Sequence, residues 1–159
     1  MTRVHLDESI ARLEDAAADR VREADEGAER GHNFLLTMLR LGAERPELTV
    51  VDDQRGAPTW ARDIAAATVQ VLTDPPNGLY HLTAGGATTW HGFACEIMRR
   101  MGLTPAVRPI RSAEYPTAAR RPANSILDNT RLREAAGIVM PLWDASLAKC
   151  LAEIQRTPT

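Results

Sequence analysis

Lysine is almost absent from this chain, which has one, Lys149, against eighteen arginines. That bias is no nucleic-acid footprint, because the formal net charge is -2 and no basic stripe recurs along the sequence. Cysteine is nearly as scarce. Cys95 and Cys150 show no metal-ligand spacing, and no secretory leader or membrane-length apolar run accompanies them, which points to a cytoplasmic protein without a disulfide framework. No two of the four histidines, His5, His32, His81 and His91, have the spacing of a zinc site. Glycine occurs ten times without forming Gly-x-Gly-x-x-Gly, the strand-to-helix turn that lets a backbone approach a pyrophosphate. Gly85-Gly86 follows an apolar run but lacks the third glycine, so it reads as a turn between strand and helix.

What is present suits one globular unit. With 159 residues, 44% of them hydrophobic, the chain can bury one core but not two full-sized ones. Charge divides it. Residues 1–31 carry nine acids against five arginines, a net of -4, whereas the remainder is net +2 and suits an anionic ligand. In the front segment Ile10, Leu13, Ala17, Val21 and Ala24 form a narrow helical stripe, with Asp7 as N-cap and a stop near Gly27 or Gly31. We separate an atypical acidic helical segment, 1–30, from a binding domain, 31–155.

The binding domain reads as mixed α/β. Phe34, Leu35, Met38, Leu39 and Leu41 predict a helix from Asn33 to about Ala43, followed by a strand at Leu48–Val51 and a turn at Gly56 and Pro58. A second helix begins at Thr59 or just after it and stops at Asp74-Pro75-Pro76, where neither proline can continue it. Leu79–Thr83 predicts a strand. Thr88 or Thr89 caps a helix from Trp90 to Met101, with Gly102 placed as a C-cap. A short strand at Val107–Ile110, a loop at 115–123, a short helix at 129–136 and a final amphipathic helix at 142–155 complete the order.

Three motifs carry the functional reading: Val51-Asp52-Asp53-Gln54-Arg55-Gly56-Ala57-Pro58-Thr59, then Gly78-Leu79-Tyr80-His81-Leu82, then Tyr115-Pro116-Thr117-Ala118-Ala119-Arg120-Arg121-Pro122-Ala123-Asn124-Ser125. Together they resemble the sugar-nucleotide half of dTDP-4-dehydrorhamnose reductase, an extended short-chain dehydrogenase with a Rossmann-type fold, from about Gly31 to about Ile154. The resemblance implies NADPH as cofactor of the complete enzyme and a dTDP-sugar as ligand. It covers only the substrate-binding half. The family's acid is a tyrosine followed four residues later by lysine, and Lys149 is preceded at that spacing by Ala145, so we expect no NADPH binding and no catalytic residue here.

By that resemblance Arg121 holds the diphosphate and Asn124 contacts the ribose, while Asn33, in an Asn-Phe pair, lies near the phosphates and Gln54 serves a base or a sugar hydroxyl. Physical chemistry is compatible with each role. A planar guanidinium grips two phosphate oxygens at once, and a helix N-terminus at Asn33 favours an anion. Plainer roles are equally open: solvated loop arginines at 120 and 121, an N-cap at Asn33, and packing or capping for Trp90 and His91. Arg55 or Arg62 could supply phosphate charge instead. Two functions follow. The chain is either a truncated or split substrate-binding half that needs a separate Rossmann-domain partner for catalysis, binding dTDP-sugar weakly without catalysing alone and covering its exposed apolar surface as a homodimer, or a non-catalytic regulatory module. The regulatory β subunit of methionine adenosyltransferase, which shares the reductase fold, is the precedent for the second. The front segment could cover surface left by a missing domain, bind a partner, or be translated remnant sequence. Neither nucleic acid nor membrane is expected as a partner.

Overall fold

The computed structural model describes residues 33–73, 76–115 and 121–156. The helix expected in the acidic front segment lies outside these residues, as do Arg120 and Pro116-Thr117. In chain order the elements are α1 (Phe34–Glu44), β1 (Glu47–Val51), β2 (Arg55–Gly56), α2 (Ala61–Thr73), β3 (Thr88–Thr89), α3 (Trp90–Met101), β4 (Ala106–Ile110), a 3-10 turn (Ser112–Glu114), α4 (Thr130–Ala136) and α5 (Trp143–Arg156).

The central helix is α3, and its sequence explains its limits. Thr89 caps it by accepting a hydrogen bond from the Gly92 amide at 3.0 Å, and Gly102 ends it in the left-handed region at φ 66, where a side chain would be strained. Phe93, Ala94, Ile97 and Met98 form its buried stripe; Ala94 and Ile97 are fully inside. Burial of a side chain such as Ile97 contributes about 1.5–3 kcal/mol. The stripe packs on Met38 of α1, Leu48 and Val50 of β1, and Leu147 and Leu151 of α5, which together form the main core. A smaller cluster joins Ala67 of α2, Leu132 of α4, Ile138 and Met140.

Alternation in Glu47-Leu48-Thr49-Val50 turns Leu48 and Val50 inward and leaves the other two exposed. β1 pairs in parallel with β4, Glu47 opposite Ala106 and Val51 opposite Ile110, with α3 lying in the crossover between them. Pro109 cannot donate to a ladder and so belongs on a sheet edge. β2 and β3 form a separate two-residue antiparallel pair, Arg55 opposite Thr89 and Gly56 opposite Thr88.

One expected element is corrected. Leu79–Thr83 belongs to no strand, and no strand among the described residues lies beside it. A side chain takes over part of the ladder's role. Asn129 Nδ2 donates to the Thr83 carbonyl at 2.6 Å, and Asn129 Oδ1 accepts from the Thr83 amide at 3.3 Å. Arg131 donates to the Leu79 carbonyl at 3.2 Å, and the Thr59 hydroxyl accepts from the Ala84 amide at 3.0 Å. Leu79 is 78% exposed, and Val139 and Leu142 are exposed as well. No helix among the described residues is long and apolar enough to cross a membrane.

Two predictions follow from these contacts. Replacing Asn129 by Ala removes both bonds to the Thr83 backbone and strands its peptide groups, so urea unfolding should show a loss of about 1–3 kcal/mol; an unchanged midpoint would refute the clamp. On α3, Arg99 and Arg100 both hydrogen-bond Glu96, and these bonds, Arg99's first, hold its carboxyl at about 2 against an ordinary 4.5. A carboxylate depressed in the folded state stabilises above its unfolded value and loses that contribution as pH falls through its folded value. The stability gap between the parent and Glu96→Gln should therefore be present at pH 6 and close towards pH 2; a gap independent of pH would contradict it.

Candidate functional site

The backbone of Arg55 gathers the motifs. Its amide donates to the Ala123 carbonyl at 2.8 Å and its carbonyl accepts from the Ser125 amide at 2.9 Å, so Asn124 pairs with it as in a parallel sheet. On its other side β2 pairs with Thr88 and Thr89. The Asp-Gln-x-Gly segment, the threonine pair before α3 and the Arg-Pro-Ala-Asn-Ser loop are thereby held side by side. A Cβ at Gly56 would stand 2.8 Å from the Ser125 hydroxyl, which would have to turn away from the Arg55 carbonyl it donates to.

Neighbouring bonds fix this frame. Asp53 accepts from the Ser112 amide at 3.0 Å and from its hydroxyl at 3.0 Å, tying the turn after β1 to the turn after β4. Thr89 donates to Asp52 at 2.6 Å while capping α3. His91 stands between Asp52, 3.6 Å from Nδ1, and the Val107 carbonyl, 3.2 Å from Nε2, so its ring braces β1 and β4 against the start of α3. Cys95 lies 3.6 Å from the same Nε2. Burial raises the Cys95 thiol above its ordinary value and the charge of Asp52 adds to this, so the sulfur stays protonated and is no activated nucleophile. Among the described residues no group of three His, Cys, Asp or Glu side chains could hold a metal ion.

Two cavities meet at this frame. The larger, about 1290 Å³, runs along α1 and β1 past Phe34, Met38, Leu48 and Val50 to Tyr115 and Arg121. The smaller, about 280 Å³, is walled by Gly56, Ala57, Pro58, Thr88, Thr89 and Ser125. Gln54, Trp90, Arg121 and Pro122 line both.

Of the residues expected at the site, Gln54 and Arg121 are brought together. Asn33 and Asn124 line neither cavity. Asn33 Oδ1 caps α1 by accepting from the Leu36 amide at 2.8 Å, next to Phe34 in the larger cavity. Asn124 Oδ1 accepts from the Ile126 amide at 3.1 Å, between Ala123 and Ser125 on the cavity walls. Arg55 is exposed beside the smaller cavity, whereas Arg62 pairs with Glu153 and lies over the Trp60 ring. Sequence reasoning left Trp90 to packing; its ring does sit 4.7 Å from Phe34, yet it also borders both cavities. A tryptophan beside a helix cap, in a chain with 4% aromatics, was the available signal.

A dinucleotide does not fit the one double-glycine turn. The Gly85 amide donates to the Pro141 carbonyl at 2.8 Å, and Cβ atoms on Gly85 and Gly86 would each stand 3.2 Å from the Leu142 and Trp143 side chains. The turn is packed against the start of α5 and offers no open cradle for a pyrophosphate.

A model of the RmlD substrate binding domain matches residues 21–156, beginning inside the acidic front segment. The dTDP-4-dehydrorhamnose reductase of Burkholderia thailandensis is 42% identical over 144 residues, covering 80% of this chain and 48% of that protein. Among solved structures, the dTDP-4-dehydrorhamnose reductase of Clostridium acetobutylicum superposes with a TM-score of 0.76 at 37% identity, covering 79% of this chain and 45% of that one. The Bacillus anthracis reductase, solved in complex with NADP, gives a TM-score of 0.74 at 35% identity, covering 77% and 44%. The fold is thus the mixed α/β arrangement of the extended short-chain reductases, and the chain spans about half the length of the curated relatives it matches.

Proposed function

This chain belongs to the RmlD substrate binding domain family, and we propose on that premise that it is the substrate-binding portion of a dTDP-4-dehydrorhamnose reductase, holding a dTDP-sugar without reducing it by its own residues. The observation that carries the reading is the convergence of Gln54 and Arg121 on both cavities with their polar groups unspent. Among the described residues neither the Gln54 carboxamide nor the Arg121 guanidinium makes a protein hydrogen bond, whereas the oxygens of Asn33, Asn124 and Asn129 are all used by the fold.

In this reading Arg121 grips the diphosphate through paired, charge-assisted bonds, and the amide of Gln54 orients the attached ring. Asn33, through its cap, and Asn124, through its bond to the Ile126 amide, hold residues next to the walls in place and leave their Nδ2 donors for ribose or phosphate. The hydride donor, NADPH, and the tyrosine and lysine of the family belong to a Rossmann half supplied by the rest of a longer polypeptide or by a separate chain. Residues 31–155 then form the binding unit, and the exposed apolar side chains of Leu79, Val139 and Leu142 are where that half, or a second copy, is received. With the cofactor side of the cleft absent, affinity should be weak, Kd about 0.1–1 mM.

Calorimetric titration with dTDP-L-rhamnose tests the reading: saturable binding that Arg121→Ala weakens by about 1.5–3 kcal/mol is expected. A folded protein that ignores millimolar ligand would overturn it in favour of a non-catalytic partner-binding module. Light scattering tests the role of Leu79, Val139 and Leu142, for which self-association of the isolated chain is expected and a monodisperse monomer at high concentration would count against it.

A further inference from the structure

His91 lines neither cavity, yet both nitrogens of its ring face acceptors. Nδ1 lies 3.6 Å from Asp52 Oδ1, just past the end of β1, and Nε2 lies 3.2 Å from the Val107 carbonyl of β4. A neutral imidazole has one N–H, so in either tautomer it turns a lone pair towards one of these oxygens; the imidazolium has two and serves both. The Cys95 thiol, 3.6 Å from Nε2, offers the neutral ring a partial compensation, since a protonated sulfur is a weak donor. Among the described residues the titratable groups in contact with the ring are therefore Asp52, from the turn after β1, and Cys95, from α3, while β4 presents a carbonyl. The nearby charges of β4 and α3 are engaged elsewhere, Arg108 with Glu47 and Glu96 with Arg99 and Arg100.

Asp52 carries the difference onward. The same Oδ1 accepts from the Thr89 hydroxyl at 2.6 Å, that hydroxyl accepts from the Gly92 amide at 3.0 Å to cap α3, and the Thr89 backbone pairs with Arg55. We propose that His91 is a positioning residue whose protonation tightens the binding frame. The charged ring clamps Asp52 to β4 and so steadies the Thr89 cap and the β2–β3 pair; the neutral ring gives up one of its two acceptors. Histidine is the side chain that changes charge between pH 5 and 8. Because the fold supplies partners to the charged form, the stabilisation is fully present below the value at which His91 titrates in the unfolded chain and is lost as pH rises through its folded value. Ligand affinity falls in the same direction, since a loosened frame must be ordered at the moment of binding. That last step rests on the nucleotide-sugar reading above; the clamp itself does not.

The full chain provides three readouts. NMR titration of the labelled parent should find the His91 ring doubly protonated up to a higher pH than in the same chain unfolded in urea; an equal or lower pH would overturn the clamp without any substitution having been made. Urea unfolding of the parent and of His91→Gln, which is neutral throughout, should show a stability gap at pH 5.5 that shrinks by pH 8, and a gap of the same size at both would overturn it as well. The diphosphate of dTDP-L-rhamnose has no proton to lose in this range, so its affinity reports the protein. The parent should bind it about 1.5- to 5-fold more weakly at pH 8 than at pH 5.5, the range of one partly exposed ion pair, and His91→Gln should bind it equally at both. The same pH dependence in both proteins would overturn the link from His91 to the frame. A ligand that binds neither protein at either pH would remove the nucleotide-sugar reading, while the clamp stands or falls on the NMR and urea results.

Discussion

Everything at the site depends on two residues of backbone, Arg55 and Gly56, that hold three distant segments at ladder distance. The Arg55 peptide spends both its groups on the loop around Asn124, and β2 turns its other edge to the threonine pair at the head of α3. At Gly56 the absence of a side chain leaves the Ser125 hydroxyl free to donate to the Arg55 carbonyl. Without this lacing, Gln54, Trp90 and Arg121 would belong to three independent loops, and ordering them at the moment of binding would cost conformational entropy that the fold has already absorbed.

The polar side chains around this frame divide by what the fold asks of them. Asp52, Asp53, Thr59, Asn129 and His91 each satisfy a backbone group or a capping residue, holding β1, β4, α3 and the segment before β3 in register. Gln54, Trp90 and Arg121 are given no such task, and they are the ones that face both cavities. Gln54 and Trp90 are partly exposed and Arg121 is exposed, so water satisfies them in the free chain and they remain available to a ligand.

Much of the fold was legible because helices announce themselves locally. The apolar spacing in α1 and α3, the caps at Asn33 and Thr89, and the stops at Pro75-Pro76 and Gly102 each act within a few residues of chain, and the elements formed within a residue or two of where those signals put them. Strand pairing carries no such local signal. Nothing in Leu79–Thr83 says whether a neighbour will be present, and its alternation fits a strand equally well when a side chain such as Asn129 must stand in for the partner. The two-residue ladder of β2 and β3 is likewise too short to leave a periodic trace. At the site, residue type was enough to single out Gln54 and Arg121, whose chemistry suits an anionic nucleotide. It could not decide between ligand and local backbone for the Asn33 and Asn124 oxygens, which go to the Leu36 and Ile126 amides, nor reveal that Trp90 borders two cavities, since that depends on contacts between segments far apart in sequence.

One ligand spanning the junction at Arg55 and Gly56 would be seen in the amide chemical shifts of the isotopically labelled chain titrated with dTDP-L-rhamnose. The largest shifts should fall together on Gln54 to Gly56, Thr88 to Trp90 and Arg121 to Ser125, saturating along one isotherm. Shifts confined to the exposed Leu79 and Val139, or none at all in a well-dispersed spectrum, would contradict it.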